Sequence, residues 1–280
     1  MNIVSMKTFI KWSGNKSRYV KTILKHIPPE TNTYIEPFVG SGAVFLKVQP
    51  QRWIINDLNK QLIGVWKSLT SPTKYKTLLK GIKGLGKRHM RHTKAENLKY
   101  YRKLTTDEGE FKRITPFTYL VLKNLVYMGI LLRGDKPYFR GFDMSFHLQK
   151  VPHVYSSKFT ENLKNVSTYL QNTKGHIYNK DYKSILKRAK RGDFCFLDPP
   201  YIEEHKYDFQ YNLGEKLDQG FLQDLKSEVT KLDKRGVRWL MTQADTKNVR
   251  ETFKSYKIVP FRVYRNKTKQ YKNELLIRNY

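Results

Sequence analysis

Four apolar residues, Phe194 to Leu197, stand between Gly192-Asp193 and Asp198-Pro199-Pro200-Tyr201. The run is too short for a helix and has turn formers on both sides, so it predicts a buried strand. The residues after it constrain the chain further. Two prolines fix φ and remove two backbone donors, leaving a stiff loop that displays one carboxylate, free carbonyl groups and the ring of Tyr201. Open α/β sheets bind ligands beyond the carboxyl ends of their strands, and Asp198 occupies such an end. Taken alone, the stretch fits an ordinary strand and a Pro-Pro turn equally well.

A second strand-to-helix junction lies earlier in the chain. Thr33 to Phe38 predicts a strand that runs into Val39-Gly40-Ser41-Gly42 before a helix starting at Ala43. Two glycines in such a turn let a backbone approach a ligand closely, although the third glycine of the dinucleotide fingerprint is missing. Arg52 to Asn56 predicts the next strand, and Asp57 follows it, 17 residues after Gly40. An acid there is placed for a ribose diol, or for capping a helix over Leu58 to Trp66.

Charge narrows the partner. Lys and Arg total 54 against 24 acids, a formal +30, which points to a polyanion. Lys74 to Lys103 holds eleven of these cations and a single acid, Glu96, with Tyr75, Tyr100 and Tyr101 among them. A solvated basic helix would look the same, but the number of tyrosines able to stack on bases favours nucleic acid. One cysteine, Cys195, excludes an internal disulfide and suits a reducing compartment. Scattered histidines give no metal-ligand cluster, so no metal is expected. No apolar run reaches the ~20 residues of a membrane span, and a soluble intracellular protein without a membrane partner is expected.

From Lys67 to Thr173 the pattern changes to lysine-rich helices at Tyr75 to Lys83, Ala95 to Leu104 and Phe117 to Met128. A hairpin follows within Leu131 to Phe146, with Arg133, Lys136 and Arg140 at its rim. Strand-helix alternation then returns through His176 to Tyr178, Tyr182 to Arg191, Leu217 to Leu232, Val237 to Met241, Val249 to Phe253, Lys257 to Arg262 and Glu274 to Arg278. The expected architecture is one α/β domain, residues 1–66 with 174–280, interrupted by a mostly helical insertion, 67–173, that carries the hairpin.

Phe9-Ile10-Lys11-Trp12-Ser13-Gly14-Asn15-Lys16, the Gly-x-Gly turn, Asp57 and Asp-Pro-Pro-Tyr occur in an order that closely resembles the Dam family of DNA adenine-N6 methyltransferases. The resemblance runs from Phe9 to the last strand. It implies a Rossmann-like sheet and S-adenosylmethionine as cofactor, with S-adenosylhomocysteine as product. The implied cofactor residues are Trp12, Lys16, Phe38, Gly40, Gly42, Asp57, Asp181 and Asp198; Asp181 also reads as a helix N-cap. The implied catalytic residues are Asp198, Pro199, Pro200 and Tyr201. Double-stranded DNA is the implied partner, met by Arg133, Lys136 and Arg140, and a paired restriction endonuclease would fit. Two places depart from the family pattern: Tyr127-Met128-Gly129 replaces an Asn-Gly hairpin, and Thr242-Gln243 replaces a Ser-Asn pair.

The loop's chemistry suits that reading. An exocyclic amine has its lone pair delocalised into the ring, and a carboxylate and a carbonyl accepting its two N–H groups favour the sp³ form. The same loop would serve cytosine N4 or an RNA base, and a basic, catalytically inactive DNA-binding module is the alternative from another class.

Overall fold

Phe194–Leu197 is a strand at the centre of a seven-stranded sheet. The computed structural model describes residues 5–106, 114–126, 132–133, 136–137, 152–201, 219–265 and 270–280. The main-sheet strands are β1 (Tyr34–Glu36), β2 (Arg52–Asn56), β5 (Lys174–Tyr178), β6 (Phe194–Leu197), β7 (Arg238–Ala244), β8 (Lys257–Arg265) and β9 (Gln270–Arg278). Their spatial order is β5-β2-β1-β6-β7-β9-β8, with β9 antiparallel to both neighbours and the other pairs parallel. As far as β7 this is the doubly wound Rossmann order, so the fold is mixed α/β and Rossmann-like; β9 then enters between β7 and β8. All four residues of β6 are buried, as a parallel strand covered on both faces requires.

The chain's course reverses direction between β1 and β6. Helices α1 (Val20–Leu24), α2 (Phe45–Val48) and α3 (Lys60–Ser68) belong to the first half. Helices α8 (Tyr182–Leu186), α9 (Gln219–Lys234) and α10 (Lys247–Thr252) belong to the second. A switch point of this kind opens a crevice at the carboxyl ends of the two central strands.

Residues 67–173 supply α4 (Pro72–Arg91), α5 (Lys94–Thr106), α6 (Pro116–Leu125), the paired strands β3 (Leu132–Arg133) and β4 (Lys136–Pro137), and α7 (Ser157–Asn172). Sequence reading anticipates the first three helices but not α7. Phe159, Leu163, Val166 and Leu170 recur there at helical spacing behind a Ser156 cap, and they are buried in the same core as Trp53, Phe45 and Trp66. Two expected helices are also trimmed: the one from Tyr182 stops at Leu186, and the one from Phe117 stops at Leu125.

Register levels the strand ends. Glu36 pairs with Ile55, Asn56 with Tyr178, Ile35 with Cys195 and Leu197 with Met241. The next residues outward therefore form a row in two parts, Asn179 beside Asp57 after β5 and β2, and Asp198 after β6 beside Thr242 of β7. Buried Asn56 locks one end of this row, its Nδ2 donating to the carbonyls of Pro37 and Lys180 at 2.9 Å and its Oδ1 accepting from Lys180 N at 2.9 Å. Asn56→Ala leaves those groups without partners and is expected to cost about 2–4 kcal/mol by urea denaturation; a change under about 0.5 kcal/mol would contradict the lock.

Candidate functional site

Asp198 leaves β6 beside Thr242 of β7, and the Thr242 hydroxyl donates to its Oδ1 at 2.5 Å. Lys16 Nζ lies 2.7 Å from Oδ1 and 3.0 Å from Oδ2, and donates to the Gly14 carbonyl at 2.9 Å. Lys16 is only 6% exposed, so this ion pair is largely removed from water. The lysine begins a 3₁₀ turn, Lys16–Arg18, whose first free N–H is capped by Asn15 Oδ1. The family resemblance makes it a cofactor residue; folding gives it the carboxylate at the centre of the sheet. The contacts given to Asp198 fill Oδ1 and leave Oδ2 with acceptor capacity for a further N–H.

Tyr201 stands three residues beyond. Its hydroxyl donates to Glu274 Oε2 at 2.8 Å, and its ring centroid is 4.8 Å from Lys16 Nζ. Burial, with the charges of Glu274 and Asp198 adding to it, pushes the phenol well above its ordinary range, so Tyr201 is held as a neutral donor to Glu274.

The glycine turn is tight on both sides. Gly40 and Gly42 have φ of +47° and +69°, and a Cβ on either would come within 2.8 Å of Trp12 or 2.6 Å of Trp66. Only glycine meets both demands. Trp66 Nε1 donates to the Gly40 carbonyl at 3.1 Å, while Gly40 N donates to Asp57 Oδ2 at 3.0 Å. Asp57 Oδ1 accepts from Asn59 N at 2.9 Å, and Asn59, not Asp57, caps α3. The expected helix from Leu58 accordingly starts at Lys60. Burial raises the Asp57 carboxyl to about 6.

Three groups join this site without having been singled out from sequence. Glu36, 2% exposed at the end of β1, accepts from Tyr34 at 2.6 Å; burial raises its carboxyl well above the usual range, against that hydrogen bond, and Asp198 and Asp57 push it the same way. Glu274 reaches Tyr201 from β9. Lys123 comes from α6, 7% exposed, with Nζ 4.3 Å from the centroid of Trp12. A lone cation in the apolar run Pro-Phe-Thr-Tyr-Leu-Val-Leu-Lys-Asn-Leu was the available signal. The same helix is tied to the N-terminal segment by Asn124 Nδ2 to the Phe9 carbonyl at 3.0 Å and Lys11 Nζ to the Val126 carbonyl at 3.4 Å.

The remaining expected residues divide. Phe38 is half-buried, its ring 5.1 Å from that of Tyr182. Asp181 is exposed and caps α8 through Lys183 N at 2.8 Å. Pro199 and Pro200 are buried beside Asp198. The backbones of Arg133 and Lys136 pair across the β3–β4 hairpin, whereas Arg140 and Tyr127-Met128-Gly129 lie outside the described residues. Among the described residues no group of three or more His, Cys, Asp or Glu side chains is arranged for a metal, and no helix is long and apolar enough to cross a membrane.

Comparison with known proteins adds chemistry to this geometry. The profile of the D12 class N6 adenine-specific DNA methyltransferases matches residues 12–270. The Type II methyltransferase M1.LlaDCHI of Lactococcus lactis subsp. cremoris is 26% identical, over 92% of this chain and 88% of its own length. The Type II methyltransferase M.MjaIII of Methanocaldococcus jannaschii is 26% identical over 99% of this chain and all of its own. A DNA adenine methylase of Vibrio cholerae is 24% identical over 89% and 85%.

Lys123 offers a pH test. Burial lowers its ammonium from 10.5 to about 7, with Asp57 opposing. Between those values the folded chain holds fewer protons than the unfolded one, so stability rises with pH from about 7 to 10 and the full penalty is felt below 7. Lys123→Met should flatten that rise in urea denaturation at pH 6.5 and 9.5, compared at about the precision of a ~1 kcal/mol difference. An equal rise in both proteins would refute the assignment.

Proposed function

The chain belongs to the D12 class N6 adenine-specific DNA methyltransferases, and from that premise we propose that it transfers a methyl group from S-adenosylmethionine to the N6 amine of an adenine turned out of double-stranded DNA. The observation that carries the proposal is the placement of Asp57 at the end of β2 and Asp198 at the end of β6, on either side of β1 at the switch point, with Asp198 held by Lys16 and Thr242.

The donor set suits the cofactor. Asp57, raised by burial and lying beside the Gly40 amide, gains from neutral donors such as a ribose diol. Gly40 and Gly42 would bring backbone to the ligand, with Trp12 and Phe38 as walls, and Asp181 at the end of β5 would extend the site while continuing to cap α8. S-adenosylmethionine bound there supplies a methyl group on a sulfonium sulfur.

Asp198 Oδ2 and the Pro199 carbonyl would accept the two N–H groups of the amine, drawing its lone pair out of conjugation. Lys16 and Thr242 hold the Asp198 carboxylate in place for that acceptor role. Proline geometry sets the distance between the two acceptors in advance. Inside a duplex the amine is out of reach, so the base is flipped at a cost of a few kcal/mol, against which stacking on Tyr201 returns about 1–3 kcal/mol. The β3–β4 hairpin, with Arg133 and Lys136, and Arg140 a few residues on in the sequence would meet the DNA, and a restriction endonuclease reading the same sequence belongs to the same proposal.

Two substitutions separate the two halves of the site. Asp198→Ala should lower single-turnover methylation by about 10²–10³-fold or more while duplex affinity stays within about threefold; near-normal turnover would refute the amine-orienting role. Asp57→Ala should raise the S-adenosylhomocysteine dissociation constant about 10–100-fold by calorimetry, with little effect on DNA affinity. An unchanged constant would leave Asp57 a purely structural turn residue.

A further inference from the structure

Helix α4 carries a charge pattern that the catalytic site does not explain. Its 20 residues contain no acid, whereas the 16 residues of α9 mix Asp224, Glu228 and Asp233 with Lys226, Lys231 and Lys234. The chain's positive excess is therefore unevenly placed. Lys76, Lys80, Lys83, Lys87 and Arg91 are all exposed and recur at intervals of four, three, four and four. At 3.6 residues per turn they fall within an arc of about 80° and extend about 22 Å along the axis. The opposite face, with Leu78, Ile82 and Leu85, is buried against the core.

A ridge like this works against the helix that bears it. Like charges at i and i+4 repel, as at Lys76 with Lys80, Lys83 with Lys87 and Lys87 with Arg91. None of the five forms an ion pair among the described residues. A duplex offers one phosphate per 3.4 Å of axis on each strand, so about six lie along a ridge of this length. A membrane surface fits less well, because the apolar side of α4 is used by the protein and no amphipathic face is left for lipid.

We infer that the α4 ridge is a sequence-independent track for the sugar-phosphate backbone of the duplex that carries the target base, separate from the β3–β4 hairpin. The identity of the polyanion rests on the methyltransferase reading. Position supports the link: α4 packs on α6, with Phe117 against Gly81, and α6 also carries Lys123 into the site.

The test replaces all five cations with glutamine in the full chain and measures affinity for a ~30 base-pair duplex between about 50 and 200 mM salt; each lost phosphate contact should take about 0.9 from the slope of log K against log salt. The expected result is a slope shallower by about 3 or more and affinity at low salt down at least about tenfold, with circular dichroism, S-adenosylhomocysteine binding and single-turnover methylation at saturating duplex within about twofold. A slope unchanged to within about 1 would overturn the inference, as would loss of binding to phosphatidylserine vesicles with duplex binding intact. Wild-type chain that binds duplex through the ridge yet transfers no methyl group would defeat the methyltransferase reading and leave the track standing.

Discussion

A carboxylate at the end of a strand buried at every residue needs a partner charge and hydrogen bonds to offset its desolvation. Lys16 and Thr242 meet that demand for Asp198, one from the first segment of the chain and the other from the neighbouring strand. Much of the site's geometry depends on this pairing. Holding Lys16 inside fixes the segment before it, which lays Trp12 against Gly40, where no side chain would fit. Trp12 in turn receives Lys123 from α6, so the helix that leads to the hairpin rests on the N-terminal segment.

The acids of the crevice are kept distinct by their surroundings. Asp198 is bound to a cation, Glu36 is driven towards its neutral form by burial and held by Tyr34, and Asp57 sits between backbone donors with its carboxyl raised to about 6. Four carboxyl groups, counting Glu274, thereby share one edge of a sheet with different tasks open to them. Buried charges of one sign cannot otherwise be gathered so closely. Lys123 stands on the other side of that balance: its ammonium costs stability where it lies, the kind of cost that is found at functional sites.

How much of this was legible before folding depended on the range of the interaction. A strand buried on both faces reads as a continuous apolar run, as β6 does, and β2 and β6 lie where Arg52 to Asn56 and Phe194 to Leu197 predict them. The glycine turn and the acid after β2 were visible because backbone demands tie residue type to position. The Lys16–Asp198 pair spans 182 residues, so no local pattern could reveal it. Helix α7 had its apolar spacing and its serine cap in plain view, yet polar residues between them diluted the signal. Thr242 reads as a departure from a serine, but its hydroxyl supplies the hydrogen bond that a serine would, so that difference leaves Asp198 supported.

The central claim is that the Asp198 loop presents the exocyclic amine of adenine to a methyl donor. It is tested most directly by incubating the chain with duplex DNA and S-adenosylmethionine carrying a deuterated methyl group, digesting the DNA to nucleosides and identifying the labelled base by mass spectrometry. The predicted result is label in N6-methyladenine. Label confined to N4-methylcytosine, or no labelled base although the duplex and S-adenosylhomocysteine both bind, would contradict it.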